Sequence, residues 1–202
     1  MLDFHQLTHY HSTHTALKFA ALSSPIDNYY KGVFMLEKQQ YAPMFRSKNQ
    51  NNQLVSLADF AGEKNIVLYF YPKDDTPGCT IEANDFTSLA EEFAKLDTVV
   101  IGVSKDSCAS HTDFINKFDL KVELLADTSG DLCQNYGVWR EREKNGVKSM
   151  AILRSTFIID KDGVLADVMY GVAHEGHAQE VLEKVNNLVN PPPPEAESAA
   201  EE

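Results

Sequence analysis

The sequence predicts an α/β protein with a central mixed β-sheet covered by helices on both faces. Three observations carry that prediction. Short continuous runs of β-branched and aromatic residues recur along the chain, as expected of strands buried on both faces. Segments of helical periodicity alternate with these runs. Near the C-terminus an Asp-Gly turn joins two such runs as a hairpin.

The strand runs are Ile66 to Tyr71, Thr98 to Val103, Val122 to Leu125 and Thr156 to Ile159. Asp160-Lys161-Asp162-Gly163 then turns the chain into a partner strand at Val164 to Met169. Between the first two runs, Cys79 to Leu96 reads as one helix, with Ala83, Phe86, Leu89, Ala90, Phe93 and Leu96 on one face. Shorter helices fit Ser107–Phe118, where Ser110 and Asp113 are spaced as an internal capping pair, and Gly130–Tyr136, ended by Gly137. A last helix, His177 to Val189, presents Val181, Leu182, Val185, Leu188 and Val189 to the core. Arg140 to Gly146 reads as a charged surface loop, and no internal repeat is visible.

Composition narrows the functions open to such a fold. The chain has 202 residues and 22.6 kDa, with 43% hydrophobic and 24% charged residues, the balance of a soluble globular protein. Its length suits one domain with extensions. Lys and Arg number 18 and Asp and Glu 30, for a net charge of −12. That balance argues against general nucleic-acid binding, where basic side chains must neutralise phosphates. The longest apolar runs fall far short of the roughly 20 residues that span a bilayer, so no membrane partner is expected. No secretory signal is visible, and three cysteines suit a compartment that keeps thiols reduced, so a cytoplasmic location is expected.

The ends differ from the middle. Residues 190–202 form a tail in which PPPPEAESAAEE carries four glutamates and nothing apolar larger than alanine, a composition that cannot pack a core. Residues 1–37 form an extension, expected to be poorly ordered or an upstream artefact with Met35 as the true start. Its first 34 residues hold His5, His9, His11 and His14 among only two acids, two lysines and no arginine. The histidines have a spacing that a transition metal could use. Without a neighbouring carboxylate or cysteine they read as part of a polar extension, not as a metal site. The domain proper is 38–189.

The chemistry concentrates in Tyr71-Pro72-Lys73-Asp74-Asp75-Thr76-Pro77-Gly78-Cys79-Thr80. This stretch leaves a strand, crosses a Pro/Gly-rich turn and places Cys79 in the first turn of the next helix. Unpaired backbone N–H groups and the positive dipole end favour a thiolate there. Thr76 lies three residues before it, within reach of the sulfur, with a hydroxyl able to donate one hydrogen bond and accept others. Pro72 and Pro77 stiffen the loop and remove competing donors. The competing reading of Cys79 is a small buried apolar residue.

Pro72-x3-Thr76-x2-Cys79 matches the P-x-x-x-T-x-x-C signature of peroxiredoxins, and LYFYPKDDTPGCTIEA resembles the peroxiredoxin Q, or bacterioferritin comigratory protein, subfamily. Further matches follow in order: Ala42-Pro43-x-Phe45, Val55-Ser56-Leu57-x2-Phe60, Gly102-Val103-Ser104-x-Asp106-Ser107, Ser110-His111, Tyr136-Gly137-Val138-Trp139, Arg154 through Asp160, and Gly176-His177-Ala178. The resemblance covers about residues 38–189. It implies a thioredoxin-like fold with an N-terminal β-hairpin extension, and a thiol peroxidase acting on hydrogen peroxide or alkyl hydroperoxides. By the same resemblance Cys79 is the peroxidatic cysteine, cycling through a sulfenic acid. Arg154 stabilises the sulfur and the departing oxygen, Thr76 binds the peroxide and Pro72 shields the sulfur from water. No metal or organic cofactor is implied. The implied reductant is thioredoxin, glutaredoxin or glutathione, and the implied state a monomer.

The chain departs from the subfamily where a resolving cysteine is commonly found, since those positions hold Asn84 and Ile115. Cys108, two helical turns before Ile115, is the candidate resolving cysteine. Cys133 reads as core. These departures favour turnover on one cysteine, with the reductant supplied from outside the chain.

Alternative readings are weaker. A disulfide oxidoreductase needs C-x-x-C, and Cys79 is followed by Thr80-Ile81-Glu82. A Cys–His hydrolase needs a histidine on Cys79, for which His111 and His174 are available. His111 and His177 read as helix-start residues, and Tyr136 and Trp139 as core or pocket wall. A redox-silent interaction module has no use for Thr76, Cys79 and Arg154 together.

Overall fold

The apolar runs become the middle of a seven-stranded sheet. The computed structural model describes residues 35–144 and 146–192, which belong to a unit beginning at Met35. The four histidines of residues 1–34 and the glutamates of the tail lie outside the described residues. The strands are β1 (Arg46–Asn49), β2 (Leu54–Ser56), β3 (Asn65–Phe70), β4 (Thr98–Ser104), β5 (Glu123–Ala126), β6 (Trp139–Lys144), β7 (Val147–Ile152), β8 (Ser155–Ile159) and β9 (Leu165–Tyr170). The helices are α1 (Pro77–Ser88), α2 (Ala90–Lys95), α3 (Cys108–Phe118), α4 (Asp131–Asn135) and α5 (His177–Val189).

The large sheet runs β2-β1-β5-β4-β3-β8-β9. Strands β3, β4 and β5 are parallel, joined by α1/α2 and by α3. The β8–β9 hairpin and the β1–β2 hairpin add antiparallel strands at either side. The mixed sheet, the N-terminal hairpin and the turn at Asp160–Gly163 are therefore as expected. Strand β3 alternates between two cores. Val67, Tyr69 and Tyr71 pack against α1, α2, α3 and α5, whereas Ile66, Leu68 and Phe70 face α4, the one-turn helix Leu57–Phe60 and the segment from Leu36 to Phe45. In the second core the buried Phe157 ring meets Tyr136 at 5.0 Å, Tyr170 at 5.3 Å and Phe70 at 5.6 Å between centroids. Burying a ring of this size contributes about 2–3 kcal/mol.

Three sequence expectations need correction. The helix expected from Cys79 to Leu96 breaks at Leu89 into α1 and α2. The Ser88 hydroxyl donates to the Asp85 carbonyl at 2.7 Å, competing with the helical ladder at the break. Periodicity runs through the break because Phe86 and Phe93 face the same core. The N-cap of α3 is Ser107, whose hydroxyl oxygen accepts from the Ser110 N–H at 3.2 Å, so Ser110 and Asp113 are not its capping pair. Arg140 to Gly146 is not a loop: β6 and β7 pair from Trp139↔Ile152 to Lys144↔Val147. Most of this hairpin is exposed on both sides and so lacks an apolar alternation. The Asn145-Gly146 dipeptide was the signal for its turn.

Candidate active site

Three chain segments converge where β3 ends. Thr76 is the N-cap of α1 with extended backbone, Pro77 fills the first helical position, and Cys79 is the third. Proline fits there because its fixed φ suits a helix start and its missing N–H would have no helical partner. The ladder opens with Thr80 N–H to Thr76 C=O at 2.8 Å, so the Gly78 and Cys79 amides lie outside it. The Cys79 side chain turns inward, and the residue is 2% exposed.

Arg154 comes from the turn before β8, whose backbone carbonyl accepts the Val172 N–H at 3.1 Å. Its guanidinium forks. Nη2 donates to Cys79 Sγ at 3.2 Å, and Nη1 donates to Glu82 Oε2. Glu82 stands three residues after Cys79, on the same side of α1, and is fully buried. Burial pushes its carboxyl up to about 7, against the pull of Arg154 in the other direction. Burial also opposes the charge of Arg154, yet Glu82 and Cys79 outweigh it and hold the guanidinium charged. Among the described residues, Glu82 Oε1 and Tyr69 Oη are buried without a hydrogen-bond partner.

A carboxyl raised in the fold loses stabilisation as pH rises. The native state binds the extra proton between the ordinary carboxylate range and about pH 7, so over that interval stability falls by at most about 1.4 kcal/mol per pH unit from this group. Glu82→Gln is expected to remove that slope, seen as a flatter denaturant midpoint between pH 5 and pH 8 than in the parent chain. An unchanged slope would show that Glu82 does not titrate there.

The remaining expected residues fall as follows. The Thr76 hydroxyl donates to the Lys73 carbonyl at 3.0 Å, not to the sulfur, which leaves its oxygen free to accept. Pro72 is exposed at the start of the loop. Cys108 is the first residue of α3 and half-buried. It stands at the same end of the sheet as Cys79, because α1 and α3 leave adjacent parallel strands and pack on one face. Cys133 is core as expected: it is fully buried, and burial and Asp127 push its thiol upward. Tyr136 is fully buried and Trp139 packs at the edge of the same core.

The histidines need sorting. His111 does not decorate a helix start, because it is fully buried between Asp74 and the Leu125 carbonyl. His177 does open α5, and it is buried against Thr156 Oγ1 at 2.7 Å. His174 lies flat on the first turn of α1: a Cβ on Gly78 would come within 3.2 Å of its Nδ1, so this position suits a residue without one. Its Nε2 faces Glu175 at 3.0 Å. Neither His111 nor His174 bonds to Cys79, whose partner among the described residues is Arg154. Neither candidate base of the hydrolase reading is therefore on the sulfur. Sequence reasoning missed Glu82, although its i+3 spacing from Cys79 was a usable signal, and it missed the Asp74–His111 pair, which joins residues 37 apart.

A buried sulfur at a helix N-terminus, gripped by a guanidinium within a thioredoxin-like fold, defines the thiol peroxidases of the peroxiredoxin class. The chain belongs to the AhpC/TSA family, whose model matches residues 39–168, and it is a thiol peroxidase. A relative in Helicobacter pylori strain J99 is 47% identical over 150 residues, 74% of this chain and 98% of its own. Peroxiredoxin Bcp of Bacillus subtilis is 43% identical over 153 residues, 76% of this chain and 97% of its own. Among solved structures, the bacterioferritin comigratory protein of Xanthomonas campestris, studied for alkyl peroxide reduction, superposes with a TM-score of 0.69 at 34% identity, covering 72% of this chain and 92% of that one. A PrxQ mutant of Xylella fastidiosa gives 0.72 at 31% identity, covering 78% and 99%.

Proposed function

We propose that Cys79 is the peroxidatic cysteine and that Arg154, Thr76 and Pro72 complete its site. The carrying observation is the Arg154 Nη2 contact to Sγ at 3.2 Å, made by a guanidinium that Glu82 holds from the other side. The thiolate attacks the distal oxygen of hydrogen peroxide or an alkyl hydroperoxide. An S–O bond forms as the O–O bond breaks. Cys79 becomes a sulfenic acid, and the departing oxygen takes a proton and leaves as water or alcohol. Arg154 stabilises negative charge on the sulfur and on the departing oxygen. Thr76, its proton committed to Lys73, accepts from the peroxide O–H, while the Cys79 N–H donates to a peroxide oxygen. Pro72, at the loop's exposed edge, limits water at the mouth.

The sulfenic acid is then reduced by an outside thiol, from thioredoxin, glutaredoxin or glutathione. One thiol displaces water to give a mixed disulfide, and a second thiol releases Cys79. The half-buried position of Cys108 keeps it as the possible resolving cysteine, but the absence of cysteine at 84 and 115 favours one-cysteine turnover. The enzyme works as a cytoplasmic monomer, with residues 38–189 carrying the chemistry and 1–37 and 190–202 flanking it. Cys108→Ser tests the recycling scheme. Turnover with thioredoxin is expected within about twofold of the parent, and non-reducing mass mapping of the parent after peroxide is expected to show no Cys79–Cys108 disulfide. Loss of turnover together with such a disulfide in the parent would make Cys108 the resolving cysteine.

A further inference from the structure

The loop that carries Thr76 is fastened to α3 by a buried cluster that the reaction itself does not use. Asp74, in the middle of that loop, is 6% exposed. Its carboxylate accepts from Tyr71 O–H at 2.6 Å and Ser110 O–H at 2.7 Å, and meets His111 Nδ1 at 2.9 Å. His111 Nε2 faces the Leu125 carbonyl at 3.1 Å, which can only accept, so that nitrogen carries hydrogen. Nδ1 faces a carboxylate, so a proton also lies between Nδ1 and Asp74. Asp74 N–H donates to Asp106 Oδ2 at 2.9 Å, and Ser104 O–H donates to the same oxygen at 2.8 Å. A second tie is exposed: Asp75, held at φ 53°, pairs with Lys117 of α3 at 2.6 Å.

Magnitudes separate the two ties. An exposed ion pair is screened by water and contributes little, whereas a buried carboxylate that loses a hydrogen-bond donor also loses compensation for its burial. Asp74 is therefore the fastening that decides where Thr76 sits. The same fastening has an opposite consequence later in the cycle. Cys79 is 2% exposed, so an outside thiol reaches its sulfenic acid only when the loop or the first turn of α1 moves.

We propose that Asp74, through Tyr71, Ser110 and His111, is a positioning residue that holds the Thr76 loop closed for peroxide and must let go for the reductant. It acts on Thr76 and touches neither sulfur nor peroxide, and the proposal rests on the assignment of Thr76 and Cys79 given above. Weakening the latch therefore slows one half-reaction and speeds the other, which a loss of general stability does not do.

Asp74→Asn leaves one acceptor oxygen where three donors converge. In rapid-mixing measurements the rate constant for Cys79 oxidation by hydrogen peroxide is expected to fall roughly tenfold, the scale of one charge-assisted hydrogen bond. Reduction of the pre-formed sulfenic acid by dithiothreitol is expected to accelerate severalfold. Ser110→Ala, a milder change outside the loop, is expected to shift both constants in the same directions by less, and it carries the test if Asp74→Asn does not fold by circular dichroism. Asp75→Asn, which tolerates the left-handed backbone, is expected to stay within twofold of the parent in both steps. Unchanged constants in the folded Asp74 or Ser110 variant, or a fall in both, would overturn the latch. A parent chain in which peroxide leaves Cys79 unoxidised would instead overturn the site assignment.

Discussion

Replacing Cys79 with serine is expected to abolish peroxide consumption while the fold stays intact. The hydroxyl remains protonated at neutral pH, so the nucleophile is lost outright, although Arg154 keeps an oxygen to donate to. The structural cost is small, because serine nearly matches cysteine in size and the Pro77 start, the Thr76 cap and the apolar contacts of Ala83 and Phe86 are untouched. Consumption at the level of a protein-free control, with far-UV circular dichroism matching the parent, is the expected result. Retained turnover would move the chemistry to Cys108 or Cys133. The burial of Cys133 beside Asp127 makes it a poor nucleophile.

Arg154→Met is expected to produce the second largest loss, about 10²–10³-fold in kcat/KM, the range seen when one preorganised donor to developing charge is removed. Stability falls too, since breaking a buried ion pair leaves Glu82 without its counter-charge. The fall should be largest at high pH, where the carboxyl must ionise in a buried setting, and smaller at low pH, where it stays protonated. Adding Glu82→Gln to Arg154→Met separates the two effects: stability at pH 8 is expected to return most of the way, and the rate is not. A double variant that recovers the rate would show that Arg154 acts only by keeping Glu82 satisfied.

Much of this was legible along the chain because the signals are local. Each central strand declared itself as an apolar run, and Cys79 was legible from its place after Pro77 at a helix start. Arg154 was legible only through resemblance, since nothing in Leu153-Arg154-Ser155 says that the side chain reaches across the end of the sheet to a sulfur 75 residues earlier. Glu82 lay hidden because a glutamate on a helix is usually solvated, and only the fold shows it fully buried against a guanidinium from another segment. The Asp74–His111 pair was invisible for the same reason. His111 reads as a helix-start residue, and only the fold brings it within 2.9 Å of Asp74. The β6–β7 hairpin failed differently, since exposure on both sides removes the alternation that reveals a strand.

The most direct measurement is mass mapping of the parent chain after one equivalent of hydrogen peroxide, with the sulfenic acid trapped and each cysteine read in its own peptide. The trapped oxygen is expected on Cys79, with Cys108 and Cys133 unmodified. Oxygen placed first on Cys108 or Cys133 while Cys79 stays a free thiol would contradict the assignment of the site.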